Sequence, residues 1–276
     1  CSVEAASKSP LFSKRYIQGA KDINRCFGHD EKIININSNH DQNQFKGCYQ
    51  RAKLIENAIR EVNPEVVIDL HNASSPSPAF AVSTVITTET LSLASLFSQT
   101  LILSDIRLGT LMEQPFPYPF ITIECGCNTD EQSHETAFAG INHISNCENI
   151  GYINPDNNVD VIVNTLRLQT KKGIKLSFSE HDEGYKGITL KKNIEYLNFG
   201  GAKKDEMIGW TDCNGTDNLQ LFDKQGNNIV NEYFYTRENQ LVSRQNLRIF
   251  KATSDRDVAL NDCLFYLVIK APSHAS

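Results

Sequence analysis

Three short stretches of the sequence hold side chains that could do chemistry. His71 directly follows an apolar run in Asp69-Leu70-His71-Asn72, and Glu124 closes Ile121-Thr122-Ile123 ahead of Cys125-Gly126. In open α/β sheets ligands bind at the carboxyl ends of strands. A histidine and a glutamate leaving neighbouring buried strands would suit a metal ligand and a general base. A hydrogen-bonded histidine and a loop glutamate would leave the same letters, because short motifs often match by accident. The third stretch is Lys14-Arg15-Tyr16, followed by Asp22-Ile23-Asn24-Arg25-Cys26-Phe27. Arg25 could grip a carboxylate with both arms of its guanidinium, Asn24 could donate to a carboxylate or amide, and Asp22 could orient either. The plainer alternative is a helix cap beside a solvated arginine. Of the five arginines in residues 1–160, two lie in this segment.

These side chains need elements to position them. Ala52, Ile55, Ala58, Ile59 and Val62 recur at helical spacing, which predicts an amphipathic helix over 49–62, stopped by the breaker pair Asn63-Pro64. Residues 66–70 make a short apolar run suited to a strand buried on both faces. Strand patterns return at 80–87 and 120–125, and helical ones at 91–97 and 131–144. Strands alternating with helices predict a three-layer α/β domain with a mostly parallel central sheet. The tail differs. Short β-like runs at 193–199, 206–210, 219–222, 229–235, 247–251 and 263–270 are separated by turn signals such as Gly200-Gly201 and Asn214-Gly215. They predict a small all-β C-terminal domain over 166–276, behind an α/β domain over 1–165.

Composition narrows the function classes. The chain has 276 residues, 40% of them hydrophobic and 22% charged, with a formal net charge of −6. Residues 1–160 carry 11 basic and 19 acidic side chains, the remainder 16 and 14. No basic stripe exists, which disfavours a protein that tracks nucleic-acid phosphates. No run of about 18 uncharged apolar residues exists to span a membrane, and the start lacks the basic and apolar regions of a signal peptide. The eight cysteines are scattered without a CxxC pair, the pattern of reduced cytosolic thiols. The expectation is a cytoplasmic protein with a small-molecule substrate and no nucleic-acid or membrane partner. Its oligomeric state stays open, a homo-oligomer included.

Together the three stretches resemble the succinylglutamate desuccinylase and aspartoacylase family, a branch of the zinc-carboxypeptidase-like fold. Its asparagine-arginine element, R-Y-[IV]-x-x-D-L-N-R-x-F, is matched by Arg15-Tyr16-Ile17, Asp22-Ile23-Asn24-Arg25 and Phe27; its D-L-H-N by Asp69-Leu70-His71-Asn72; its I-E-x-G by Ile123-Glu124-Cys125-Gly126. In the tail, Val230-Asn231-Glu232 leading to Tyr235, and Cys263-Leu264-Phe265-Tyr266, fit as well. The resemblance implies a hydrolase that cleaves the amide bond of a small N-acyl amino acid, using one zinc per chain. His71 would be one of its ligands and Glu124 the base that activates water. Arg15 would polarise the carbonyl, Asn24 and Arg25 would anchor the substrate carboxylate with Asp22 orienting them, and Tyr235 would help close the pocket.

The sequence also departs from the family pattern. The family takes its other two zinc ligands from an H-x-x-E upstream of the asparagine-arginine element. This chain begins about 14 residues before that element, and none of its seven histidines is followed by Glu three residues on. The leading expectation is that an N-terminal part precedes Cys1. Substitute ligands (Glu131 with His134, or His29) and a metal-free ligand binder are the alternatives. Two extra residues separate Arg15 from Asp22, which leaves the position of Arg15 open, with Lys14 as a substitute. Gln114 stands where the family places an arginine for a second substrate carboxylate, and Pro115-Phe116-Pro117-Tyr118-Pro119 suggests a rigid apolar wall. A metallocarboxypeptidase acting on peptide C-termini is the rival enzyme.

Overall fold

The periodic apolar positions after Phe45 fold as helix α1, Lys46–Val62, in a computed structural model that describes residues 21–28, 45–127, 130–149 and 158–269. The helix ends where Asn63 takes a left-handed φ of 47° and returns its N–H to the Ile59 carbonyl. Asparagine tolerates that conformation, and Pro64 cannot extend the helix. Contacts divide the chain into two compact units. One holds the described residues up to Asn72 with Ala79–Ile162, the other Ala73–Pro78 with the described residues from Val163 onward.

In the first unit the strands are β1 (Val67–Ala73), β2 (Phe80–Ser83), β3 (Thr100–Leu103), β4 (Phe120–Cys127) and β5 (Asp160–Ile162); the further helices are α2 (Thr88–Ser95) and α3 (Glu131–Ser145). The strands form one sheet in the order β1-β4-β2-β3-β5. The β2–β3 and β3–β5 pairs are parallel, but β2–β4 is antiparallel. The sheet is therefore mixed. Local pattern reports that a strand exists and not which way its neighbour runs.

The Val67 N–H donates to the Pro119 carbonyl at 3.0 Å. Because β1 and β4 both run onward from that bond, they are parallel, and Val67 stands beside Phe120. Packing confirms this parity. Val67 and Phe120 share an apolar cluster with Tyr49, Ala52 and Ile59 of α1. Ile68, Ile121 and Ile123 lie in a second cluster, with Leu93 and Ala94 of α2 and Ala137 and Ile144 of α3. The helix α2 begins earlier than expected, at Thr88. Thr87 accepts from the Thr90 amide while the Thr90 hydroxyl accepts from the Thr87 amide, a reciprocal cap that ends the extended backbone expected over 80–87.

The second unit contains β6 (Leu166–Thr170), β7 (Leu176–Ser179), β8 (Ile188–Lys191), β9 (Met207–Thr211), β10 (Leu219–Leu221), β11 (Phe234–Arg237), β12 (Gln240–Ser243), β13 (Leu247–Phe250) and β14 (Phe265–Ile269). Two sheets result, β10-β6-β14-β13 and β11-β12-β9-β8-β7, around a common core that includes Leu168, Ile188, Phe234, Ile249 and Phe265. Short helices α4 (Val230–Tyr233) and α5 (Arg256–Asn261) interrupt the strands. Residues 194–197 and 230–233, read from the sequence as strand, are helical turns: Ile194 with Leu197, and Val230 with Tyr233, are buried at a spacing of three. Asn198 ties Ala73–Pro78 to this unit, donating to Ser75, Pro76 and Ala252 and accepting from the Ala252 amide. No helix among the described residues is long and apolar enough to cross a membrane.

One close backbone approach in the first unit tests this packing. A Cβ added to Gly140 of α3 would lie 2.0 Å from the Phe97 ring. Gly140→Ala should lower stability by about 1–3 kcal/mol in equilibrium urea unfolding, the usual penalty for overpacking a filled core.

Candidate functional site

Neither His71 nor Glu124 stands past a strand end as the sequence suggested. β1 runs through His71 to Ala73 and β4 through Glu124 to Cys127, because polar side chains at alternating positions do not interrupt ladder hydrogen bonds. Carried forward from Val67 beside Phe120, the register sets Asp69 beside Thr122 and His71 beside Glu124. Paired residues of neighbouring strands project to the same face, here the face that α1 covers. On its other flank Glu124 pairs with Phe80 of β2. Glu124 is 6% exposed and Phe80 fully buried, whereas the His71 side chain is 32% exposed.

The sequence named His71 but gave Asp69 no role. Its Oδ2 lies 2.8 Å from His71 Nε2. Residues two apart on a strand share a face, and that spacing was the available signal. The contact orients the imidazole and leaves Nδ1 as its other nitrogen.

Asp22, Asn24 and Arg25 belong to one tight turn, a 3₁₀ segment over Ile23–Arg25. Asp22 accepts from the Asn24 amide at 2.9 Å, so it shapes the turn's backbone. The Asn24 carboxamide oxygen accepts from the Leu111 amide at 2.9 Å. Arg25 Nη1 donates to the Asn24 carbonyl at 2.7 Å. Ile23, Cys26 and Phe27 pack in the same cluster as Val67 and Phe120. The turn, Asp69, His71 and Glu124 therefore all belong to the α1 side of the sheet.

Other expected residues fall elsewhere. Arg15, Lys14 and His29 lie outside the described residues. Tyr235 is on β11 in the second unit, where its hydroxyl donates to Asp205 at 3.0 Å and the Arg244 guanidinium lies 4.8 Å from its ring centre. The hydrogen bond to Asp205 raises the phenol's pKa. Glu131 and His134 are exposed on α3, which packs on the opposite sheet face from His71. Gln114 donates from Nε2 to the Thr110 carbonyl and lies against Gly28. Phe116 stacks between Tyr118 and Phe120 with the Arg60 guanidinium 4.8 Å from its ring centre, which fastens the end of α1 near the start of β4.

A catalytic zinc takes about three protein ligands. Among the described residues no group of three His, Cys, Asp or Glu side chains is placed to hold one. His71 with Asp69 amounts to one imidazole and its orienting carboxylate. The described residues alone therefore do not make the zinc centre that the resemblance implies.

Two cysteines flank this region. Burial pushes the Cys26 thiol up to about 11; burial, with the Glu124 charge adding to it, does the same for Cys125. Cys263 in the second unit is buried and raised to about 12, while Cys213 is exposed. A raised pKa keeps a thiol protonated at neutral pH, and only the thiolate reacts. Alkylation of the native protein at pH 7 should label Cys213 before Cys26, Cys125 and Cys263, which should react only on unfolding, as peptide mass mapping would register.

No protein-family model and no curated protein matches the chain. Among solved structures, succinylglutamate desuccinylase from Vibrio parahaemolyticus matches with a TM-score of 0.52 at 14% identity, over 94% of this chain and 67% of its own. Murine aminoacylase 3 matches with a TM-score of 0.48 at 12% identity, over 97% and 84%. A succinylglutamate desuccinylase/aspartoacylase from Rhodobacter sphaeroides matches at 0.45 and 12%, over 91% and 69%. The chain thus has the mixed α/β, several-sheeted fold of the Vibrio succinylglutamate desuccinylase, whose family its three motifs resemble.

Proposed function

We propose that this protein hydrolyses the amide bond of a small N-acyl amino acid or related acyl amine. The observation that carries the reading is the β1–β4 register, which sets His71 beside Glu124 on the sheet face where the Asp22–Phe27 turn packs. The likeness in fold to a desuccinylase supports it. The same proposal takes the first unit as the three-layer, carboxypeptidase-like domain, divided near residue 165 from a β-rich C-terminal domain. A cytoplasmic site of action belongs to it too, and the scattered cysteines without a CxxC pair support that.

In this reading Glu124 takes a proton from water, and the water oxygen attacks the amide carbonyl carbon. The C–N bond then breaks, and Glu124 passes the proton to the leaving amine. The Asn24 Nδ2 and the Arg25 guanidinium hold the substrate carboxylate. By resemblance Arg15 polarises the carbonyl and Tyr235 borders the pocket. Asp69 holds His71 in one orientation. Zinc enters the proposal through His71 alone, with its remaining ligands outside the described residues; when bound it supplies a Lewis acid and a more acidic water.

Glu124→Gln should reduce amine release from an N-acyl amino acid by about 10²–10⁴-fold while calorimetry still shows substrate binding. Retained turnover in that variant would remove Glu124 as the base. A metal-free small-ligand binder is the second reading, favoured by the lack of a three-donor group among the described residues. Protein that binds the N-acyl amino acid, carries no zinc after reconstitution and releases no amine would establish it.

A further inference from the structure

We infer that Glu113 is a positioning residue for the Asn24–Arg25 pair and, through that pair, for recognition of the substrate carboxylate; the inference rests on the function proposed above. The Glu113 carboxylate gathers three donors with its two oxygens. The Leu108 amide and the Thr110 hydroxyl each donate to Oε1 at 2.8 Å, and the Gly109 amide donates to Oε2 at 3.0 Å. Residues 108–110 are thereby wrapped around one side chain.

That loop holds the asparagine-arginine turn on both sides of Arg25. On one side the Leu111 amide donates to Asn24 Oδ1 at 2.9 Å. On the other the Gly109 carbonyl accepts the Phe27 amide at 3.0 Å. The approach is close enough that a Cβ at Gly109, whose φ is +77°, would lie 3.2 Å from the Arg25 carbonyl oxygen. The far end of the turn has its own carboxylate. Glu56, 5% exposed, accepts the Gly28 amide at 3.0 Å and Lys53 Nζ at 3.3 Å. Asn24 and Arg25, on a single 3₁₀ turn, are thus held in place by bonds to a loop that Glu113 fixes. Small displacements of binding groups are costly, because a misplacement of about 1 Å can cost about 10²-fold in rate.

The test compares Glu113→Gln with wild type on two substrates, an N-acyl amino acid and the matching acyl amine that lacks the α-carboxylate. Glutamine keeps the size but has one acceptor oxygen for three donors. KM for the carboxylate substrate should rise about tenfold or more with kcat within about twofold, and KM for the amine should not move; losing a charge-assisted bond has effects of that order. An equal KM rise on both substrates, a fall in kcat at fixed KM, or no change would overturn the assignment. Amide hydrogen exchange supplies a readout independent of activity. Leu111 and Phe27 should lose protection in Glu113→Gln while Gly28, held by Glu56, keeps it; unchanged protection at Leu111 and Phe27 overturns the positioning role. If wild type turns over neither substrate, the proposed function fails and the exchange data alone decide the role of Glu113. Thr110→Val, which removes one donor and keeps the carboxylate, carries the same tests if Glu113→Gln does not fold; it should shift both readouts in the same direction and by less.

Discussion

The parity of the β1–β4 pair governs everything in the first unit that could be catalytic. Side chains alternate along a strand, so a slip of one residue at the Val67–Pro119 bond would turn Asp69 and His71 toward α2 and α3 and expose Ile68 to the α1 side. The core prevents this. Ile121 and Ile123 are fully buried in the cluster under α2 and α3, while Phe120 and Val67 fill the one under α1. The candidate site therefore inherits its alignment from apolar packing, and Glu124 shares the face of His71 because Ile121 and Ile123 cannot face the other way.

The two halves of the candidate site are held by different physics. His71 and Glu124 stand on adjacent strands, where ladder hydrogen bonds restrict the backbone over several residues. Asn24 and Arg25 stand on the Asp22–Phe27 turn, which has no ladder. It is fixed by its own Asp22 cap, by Leu111 and Gly109 of a facing loop, and by Ile23, Cys26 and Phe27 packed against α1. A site on strands is precise without help, whereas a site on a turn needs supporting bonds. Those bonds come from residues far away in sequence.

That contrast explains what could be read in advance. The helix read over 49–62 and the strand read over 120–125 were legible because their apolar patterns persist over many residues, though both run past those bounds, and the three motif stretches were legible from residue type and spacing. Four-residue pieces were not. Ile194 to Leu197 and Val230 to Tyr233 fit alternation as well as they fit a spacing of three, and tertiary burial decided between them. The antiparallel β2–β4 pair was invisible because strand direction depends on connections, not on local pattern. Glu113 was invisible as a support of Asn24 because the link runs through Leu111, 87 residues from Asn24. A hint was present in Thr110-Leu111-Met112-Glu113, the T-x-x-E of a capping box, although here the carboxylate gathers the two amides before Thr110.

The strand geometry also limits what these residues can bind by themselves. On the α1 side, the register of two strands offers four polar side chains in a row, Asp69, His71, Thr122 and Glu124. Asp69 is engaged with His71, threonine is not among the usual zinc donors, and the proposed function uses Glu124 as a base rather than a ligand. The intervening positions, Ile68, Ile121 and Ile123, are committed to the opposite core. On this face the two adjacent strands thus supply one oriented imidazole and one further carboxylate. Any further ligand has to come from an element laid across that face. The proposed zinc would therefore draw its further ligands from chain segments whose position the sheet does not dictate.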